Sequence, residues 1–76
     1  MVISSAQCRA ARGLLSWSQG DLHKASKVAV KTITDFEKGS RKPYERTLRD
    51  LKKALEDEGV EFISENGGGV GVRFRY

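Results

Sequence analysis

Five side chains near the middle of the chain have the spacing of one exposed helix face. On a helix that begins near Ala29, residues three and four apart are neighbours, so one side carries a mixed set of short groups. That set is Val30, Lys31, Thr34, Asp35 and Lys38. Ile33 and Phe36 point the other way, toward a core. The exposed face combines an apolar group, several hydrogen-bond donors and one carboxylate acceptor, which is a composition suited to recognising another molecule.

The groups on this face match features of the DNA major groove. Lys31 can donate to guanine O6 or N7, and Asp35 can accept from cytosine N4, although a carboxylate also repels phosphate. Val30 can contact the methyl group of thymine, an apolar feature that only the major groove displays. A valine at the front of an otherwise polar face therefore indicates contact with something other than water.

Catalytic and metal-binding sites are not predicted. One cysteine, Cys8, and one histidine, His23, make a poor metal site, and a single cysteine forms no intramolecular disulfide. The carboxylates are scattered over outer helix surfaces with no evident cleft to perturb them. The glycine-rich stretch at 67–71 lacks the lysine and the following helix of a phosphate-binding P-loop. We expect a protein that is not an enzyme and that needs no metal or cofactor.

The composition predicts one small domain. The chain has 76 residues, of which 38% are hydrophobic and 32% charged. No segment approaches the run of about 18 apolar residues that spans a membrane. The start of the chain has no secretory signal, so a cytoplasmic location is expected. The net charge of +4 permits a polyanionic partner, but mixed surface charge that aids solubility explains it equally well.

Capping signals and apolar periodicity predict four helices. Ser4 with Gln7, and Ser18 with Asp21, have the capping-box spacing that satisfies backbone N–H groups at a helix start. Gly39 is placed to close the third helix in a left-handed conformation. The predicted helices span about 4–15, 19–25, 29–38 and 44–58. A turn at 26–28 joins the second helix to the third.

The last residues change to the periodicity of a strand. Apolar and basic or small residues alternate over 70–76, and 60–63 is a second strand candidate. An antiparallel hairpin is predicted, with a disordered tail as the alternative. Because a lone two-stranded hairpin is marginal in water, it must pack on the helices or pair with another chain. The face proposed for pairing two chains comprises Val70, Val72, Phe74 and Tyr76. Arg73 and Arg75 either touch DNA or point into solvent.

The segment WSQGDLHKASKVAVKTITDFEKGSRKP, residues 17–43, resembles the DNA-binding core of the lambda-repressor and Cro class of helix-turn-helix proteins, the XRE family. The matching positions are Gln19, Leu22, Val28, Thr32, Ile33, Phe36, Glu37, Gly39 and Pro43. The resemblance covers about 4–58. It implies a mostly α fold, a lambda-repressor-like bundle of four to five helices with a helix-turn-helix. The chain would then comprise a DNA-binding domain at 1–59 and the β-hairpin tail at 60–76.

The resemblance also implies roles for individual residues. The side chain and the backbone N–H of Gln19 would bind a phosphate at the start of the second helix. Arg12 and Glu37 match a family pair that forms a partly buried ion pair between the first and third helices. The residues implied at base edges or the groove wall are Ala29, Val30, Lys31, Thr34 and Asp35. Those implied at phosphates or the neighbouring minor groove are Lys38, Arg41 and Lys42.

The function implied by the resemblance is sequence-specific binding of double-stranded DNA by a small transcriptional regulator. It would act as a repressor and a homodimer, as do small regulators of phages and mobile elements, and a regulatory protein could control it. Ala29 and Val30 stand where the family often has Gln, Arg, Ser or Thr, and Lys27 stands where it often has Gly. The alternative is a protein-interaction module, antitoxin-like or anti-activator, that kept the fold without reading bases.

Overall fold

Four helices and a C-terminal hairpin make up the computed structural model, which describes residues 1–65 and 67–76. The elements are α1 (Ser5–Leu15), α2 (Gln19–Ser26), α3 (Val30–Glu37), α4 (Glu45–Asp57), β1 (Val60–Ile63) and β2 (Gly71–Phe74). The prediction of four helices followed by an antiparallel hairpin is confirmed. Asn66, in the predicted turn of the hairpin, lies outside the described residues. Among the described residues, no helix is long and apolar enough to cross a membrane.

The ends of the elements differ from prediction by one or two residues, because several terminal residues act as caps. Ser4, Ala29 and Tyr44 have extended backbones and precede their helices as N-caps. Lys38 is the C-cap of α3. The second helix continues to Ser26, whose hydroxyl donates to the Leu22 carbonyl at 2.7 Å. The second strand is shorter than the alternation over 70–76 predicts.

Both predicted capping boxes are present. The Gln7 N–H donates to Ser4 Oγ at 3.1 Å, and the Ser4 N–H donates to Gln7 Oε1 at 2.9 Å. Ser18 and Asp21 make the same two bonds at 2.9 and 3.0 Å. The bonds from the backbone N–H and the hydroxyl of Ser18 lower the pKa of Asp21. Local side-chain spacing therefore determines where α1 and α2 begin.

The turn between α2 and α3 contains a lysine in an unusual conformation. Lys27 closes α2 with a φ of 66°, a left-handed conformation that glycine adopts at least cost. Gly39 closes α3 with a φ of 77°, as its position predicts. A lysine therefore occupies a turn position whose left-handed conformation favours glycine.

The core lies where the helices meet, and the hairpin closes one side of it. Its thirteen buried apolar residues are Ile3, Cys8, Ala11, Leu22, Val28, Ile33, Phe36, Leu48, Leu51, Ala54, Leu55, Val60 and Phe62. Ile33 and Phe36, predicted to point toward the core, belong to this set. On α1, Leu14 is exposed. Trp17 packs against the core from the start of α2.

The hairpin packs on the helices, as predicted, and the alternative of a disordered tail is excluded for residues 60–65 and 67–76. Val60 pairs with Phe74, and Phe62 pairs with Val72, which places these four side chains on one face of the sheet. β1 lies against α4, and both strands lie against α1. Val72 contacts the core, whereas Phe74 is 45% exposed. The helices therefore cover only part of the apolar face on which chain pairing was predicted.

Gln7 fastens the hairpin to α1, a role that its capping-box spacing does not predict. Its side-chain amide donates to the carbonyl oxygens of Ile63 at 3.2 Å and Gly71 at 3.0 Å. These two residues form the last pair of the β-ladder before the turn. The Gln7 side chain is buried, whereas Ile63 and Gly71 are half-buried, so replacement would leave two half-buried carbonyl groups without this donor.

Replacing Gln7 with alanine is expected to destabilise the fold by about 1–3 kcal/mol, because two half-buried carbonyl groups lose their donor. Gln7→Glu keeps the oxygen that accepts the capping-box bond, but its second oxygen faces the two carbonyl oxygens and repels them. This variant should therefore be no more stable than Gln7→Ala. Chemical denaturation measures the free energy of unfolding of both variants. The control is Asp21→Ala, which removes the matching bond from the Ser18 N–H in the other capping box. Amide exchange at β1 and β2 should accelerate in the Gln7 variants alone, and unchanged exchange would contradict the role given to Gln7.

Candidate nucleic-acid interface

The third helix presents the face that the sequence predicts. Ile33 and Phe36 are buried against the other helices, and α3 packs on both α1 and α2. Ala29, Val30 and Lys31 are exposed at its start, and Val30 is 41% accessible to solvent. The apolar front of this helix therefore lies at the surface.

One buried carboxylate fixes α3 to its two neighbours. Glu37, at the end of α3, is only 4% exposed. Arg12 donates to it twice, from Nε at 2.8 Å and from Nη2 at 2.6 Å. Gln19 Nε2 donates to the same carboxylate at 3.0 Å, and the Cys8 thiol donates at 3.2 Å. The ion pair implied by the family resemblance is present, and it belongs to a larger network that joins α1, α2 and α3.

The protonation states in this network follow from the same contacts. Burial alone would raise the pKa of Glu37, but the hydrogen bonds from Arg12, Gln19 and Cys8 outweigh it and lower that pKa. The bond to Glu37 raises the pKa of Arg12 despite partial burial. Burial and the nearby carboxylate raise the pKa of Cys8 far above its ordinary value. Glu37 is thus ionised at neutral pH, and Cys8 acts as a thiol donor besides filling the core as predicted.

Gln19 is placed differently from the prediction that its side chain binds phosphate. The amide group is engaged at both ends, since Nε2 donates to Glu37 and Oε1 accepts a 2.7 Å bond from the Thr34 hydroxyl. The side chain of Gln19 therefore links α2 to α3. At this position the backbone N–H in the first turn of α2 is the group that can still meet a phosphate.

Thr34 is predicted to contact bases, but its side chain makes a hydrogen bond within the fold. Its hydroxyl donates to Gln19, and the residue is only partly exposed. Lys31 and Asp35 remain side by side on the outer face, with Lys31 Nζ 3.4 Å from Asp35 Oδ2. The outer face of α3 therefore has fewer free side chains than predicted. Val30 is exposed at the start of the helix, and the Lys31–Asp35 pair follows it.

The loop after α3 is held in place by backbone hydrogen bonds. The Gly39 N–H donates to the Phe36 carbonyl at 3.0 Å, and the Ser40 N–H donates to the Asp35 carbonyl at 2.9 Å. Lys38, Arg41 and Lys42, predicted to meet phosphates, are all exposed on this loop. The backbone hydrogen bonds of Gly39 and Ser40 fix the start of this loop, and a fixed backbone lowers the entropy cost of binding.

The cations of the chain divide into two groups by their contacts. Within residues 1–65 and 67–76, seven lysine and arginine side chains make neither an ion pair nor a hydrogen bond. These seven are Lys24, Lys27, Lys38, Arg41, Lys42, Arg46 and Arg49. In the sequence they all fall between the end of α2 and the first half of α4. The same stretch contains Glu45 and Asp50, which form no ion pair in the described part of the chain, so cations without an internal partner outnumber such carboxylates there.

The remaining cations contact groups of the chain. Lys52 and Lys53 pair with carboxylates one turn further along α4, at 3.5 and 3.2 Å. Arg73 pairs with Glu61 across the hairpin at 2.7 Å, and Arg75 donates to the Glu56 carbonyl at 2.8 Å. The two tail arginines thus have partners within the fold.

Metal ligands do not converge in the described part of the chain. It contains no group of three His, Cys, Asp or Glu side chains that could hold an ion. His23 is exposed, and its Nδ1 lies 2.8 Å from the Val28 carbonyl oxygen.

Replacing Glu37 with glutamine is expected to destabilise the protein by about 3 kcal/mol at pH 7, because Arg12 loses a buried counter-charge. The lowered pKa of Glu37 gives stability that is present above its unfolded pKa of about 4.3 and is lost as pH falls through the folded pKa. The wild-type protein should therefore lose stability below about pH 4 more steeply than the variant. Urea unfolding between neutral and acidic pH measures this difference.

Glu61→Gln is the matched control, because it removes the exposed partner of Arg73. This change should cost about 1 kcal/mol or less. Equal costs for the two substitutions, or parallel acid profiles of the wild type and Glu37→Gln, would contradict a structural role for the buried carboxylate.

The chain was also compared with known proteins. Neither the family models nor the curated proteins contain a match to it.

Proposed function

We propose that α2 and α3 form a helix-turn-helix of the lambda-repressor type and that the protein binds double-stranded DNA. It would act as a small transcriptional regulator in the cytoplasm, as a repressor that occupies a promoter. The observation that carries this proposal is the run of cations without internal partners from the end of α2 to the first half of α4, a stretch that includes α3. A surface of this kind attracts a polyanion, and α3 has the size of an element that fits the major groove.

The groups on α3 suggest how bases would be read. Val30, at the front, can contact a thymine methyl group. Lys31 can donate to a guanine, and Asp35 beside it can accept from the amino group of a cytosine. Lys38, Arg41 and Lys42 would contact phosphates and set the position of the helix. Thr34 takes no part in this scheme, since its hydroxyl is bonded to Gln19.

A homodimer would place two copies of α3 on successive turns of the duplex, about 34 Å apart. The longest dimension of one protomer is 32 Å, so two protomers side by side are compatible with that spacing. The proposed contact between them is the uncovered part of the hairpin face, which comprises Val70, Phe74 and Tyr76. Val72 belongs to the core and would contribute little to such a contact.

A second candidate is favoured by the apolar start of α3. Ala29 and Val30 are exposed, Thr34 points inward, and Lys31 is paired with Asp35. Few unpaired donors remain for reading bases. The same face could therefore bind a protein, as an antitoxin-like or anti-activator subunit would.

Selection of bound sequences from a random duplex pool, at about 150 mM salt, distinguishes the two candidates. A dimeric reader should enrich a palindrome with half-sites about 10 base pairs apart. Lys31→Ala should weaken binding by about 1–3 kcal/mol and relax one G·C position, whereas Val30→Ala should relax one A·T position. Lys53→Ala, which removes a cation already paired with Asp57, is the control. Absence of any enriched sequence would favour the protein-binding alternative.

Phe74→Ser tests the proposed dimer contact. The side chain is nearly half exposed, so its replacement should weaken self-association more than folding. Sedimentation equilibrium should show a dimer for the wild type and a shift toward monomer for Phe74→Ser, with Val2→Ser as the control at another exposed apolar residue. Unaltered association of Phe74→Ser, with retained helical circular dichroism, would remove the hairpin from the dimer contact.

A further inference from the structure

A concavity lies between α3 and the start of α4, beside the loop that joins them. Its volume is about 460 Å³, within the range of about 300–1,000 Å³ that is typical of small-molecule sites. The residues that line it are Thr32, Arg41, Lys42, Pro43, Tyr44 and Thr47. It opens at the surface beside the proposed DNA-binding face.

The polar groups of this cleft suit a phosphate. Its lining includes two cations and two threonine hydroxyls, but no carboxylate. Neither Arg41 nor Lys42 has an ion-pair partner in the described part of the chain. Arginine binds phosphate oxygens through a planar fork of donors, and lysine adds a compact charge. Charge and donors thus converge in one place without an internal acceptor.

The apolar part of the cleft suits a flat ring. Tyr44 is 87% exposed and caps α4 without a side-chain hydrogen bond. Together with Pro43 it supplies a flat apolar wall next to the two cations. An aromatic ring in such a place can stack on a base or another planar group. The volume accommodates a ligand larger than an inorganic anion.

Both walls of the cleft are held by hydrogen bonds within the chain. The N–H groups of Ser40 and Arg41 both donate to the Asp35 carbonyl, at 2.9 and 3.4 Å. On the other wall, the Leu48 N–H donates to the Tyr44 carbonyl at 3.0 Å, and the Leu48 side chain is buried in the core. A ligand would therefore bind a formed site.

We infer that this cleft binds a free nucleoside monophosphate. The phosphate lies against Arg41 and Lys42 within reach of the threonine hydroxyls, and the base stacks on Tyr44. Because the same two cations are proposed to contact DNA phosphates, a bound nucleotide excludes the duplex and gives the regulator a small-molecule signal. That second consequence rests on the proposed function, whereas nucleotide binding itself does not.

Titration of the ¹⁵N-labelled protein with adenosine monophosphate, followed by amide chemical shifts at fixed ionic strength, tests the site. Saturable shifts are expected at Thr32, Arg41, Lys42, Tyr44 and Thr47. Adenosine and inorganic phosphate, each carrying half of the ligand's chemistry, should bind at least about tenfold more weakly. The spectra also show whether each variant is folded.

Two substitutions and one control separate the contribution of the Arg41 cation from that of the Tyr44 ring. Arg41→Ala should weaken the nucleotide and inorganic phosphate alike, by about tenfold, because it removes a charged donor. Tyr44→Ala should weaken the nucleotide and leave inorganic phosphate unchanged. Lys53→Ala, outside the cleft, should change neither. Shifts that do not saturate, that spread over the other exposed cations, or that adenosine alone reproduces would overturn the proposed site.

Addition of the nucleotide to a protein–duplex mixture tests exclusion. Release of the duplex at nucleotide concentrations that saturate the cleft supports exclusion. A duplex that stays bound to the nucleotide-loaded protein overturns exclusion. A protein whose cleft saturates with nucleotide but which binds no duplex would contradict the proposed function and leave the nucleotide site standing.

Discussion

The placement of α3 depends on one buried negative charge. A helix of eight residues is marginal by itself, so α3 needs contacts with its neighbours to keep its position. Glu37 provides them by accepting hydrogen bonds from α1 and from α2 at once. Removing a carboxylate from water is costly, and only the full set of donors offsets that cost. The same network determines which side chains stay available, because it draws Gln19 inward, and Gln19 in turn holds the hydroxyl of Thr34.

Local signals in the sequence predict most of the elements, and contacts between distant residues account for what they miss. The capping boxes and Gly39 act within one turn of helix, so the ends of α1, α2 and α3 could be predicted to within a residue or two. The contacts of Gln7 with the hairpin join residues 56 and 64 positions apart, and no spacing rule reports them. The inward turn of Thr34 depends likewise on a partner in another helix. The alternation of apolar residues along the chain predicted the second strand. The burial of Val72 against the core and the exposure of Phe74 depend on how the hairpin packs on α1.

The distribution of partners among the cations connects stability with function. Cations in α1, at the end of α4 and in the hairpin contact carboxylates or carbonyl groups of the fold. Those between the end of α2 and the first half of α4 make no such contact in the described part of the chain, and we propose that they meet an external anion. A long DNA backbone and a free nucleotide would both use Arg41 and Lys42, and they would therefore compete. In this account a chain of 76 residues combines recognition and a regulatory ligand on one surface.

The most direct test of the central claim is the affinity for a duplex as a function of salt. Fluorescence anisotropy with a labelled duplex, between about 50 and 200 mM salt, gives the number of counterions released on binding. Each phosphate neutralised contributes about 0.9 to the slope, so contacts by Lys38, Arg41 and Lys42 in both protomers of a dimer predict a slope of about −5 or steeper. The Arg41→Ala variant, which removes one contact from each protomer, should lower its magnitude by about 1.8. A flat dependence, or no measurable binding at the lowest salt, would contradict the claim that the surface around α3 binds DNA.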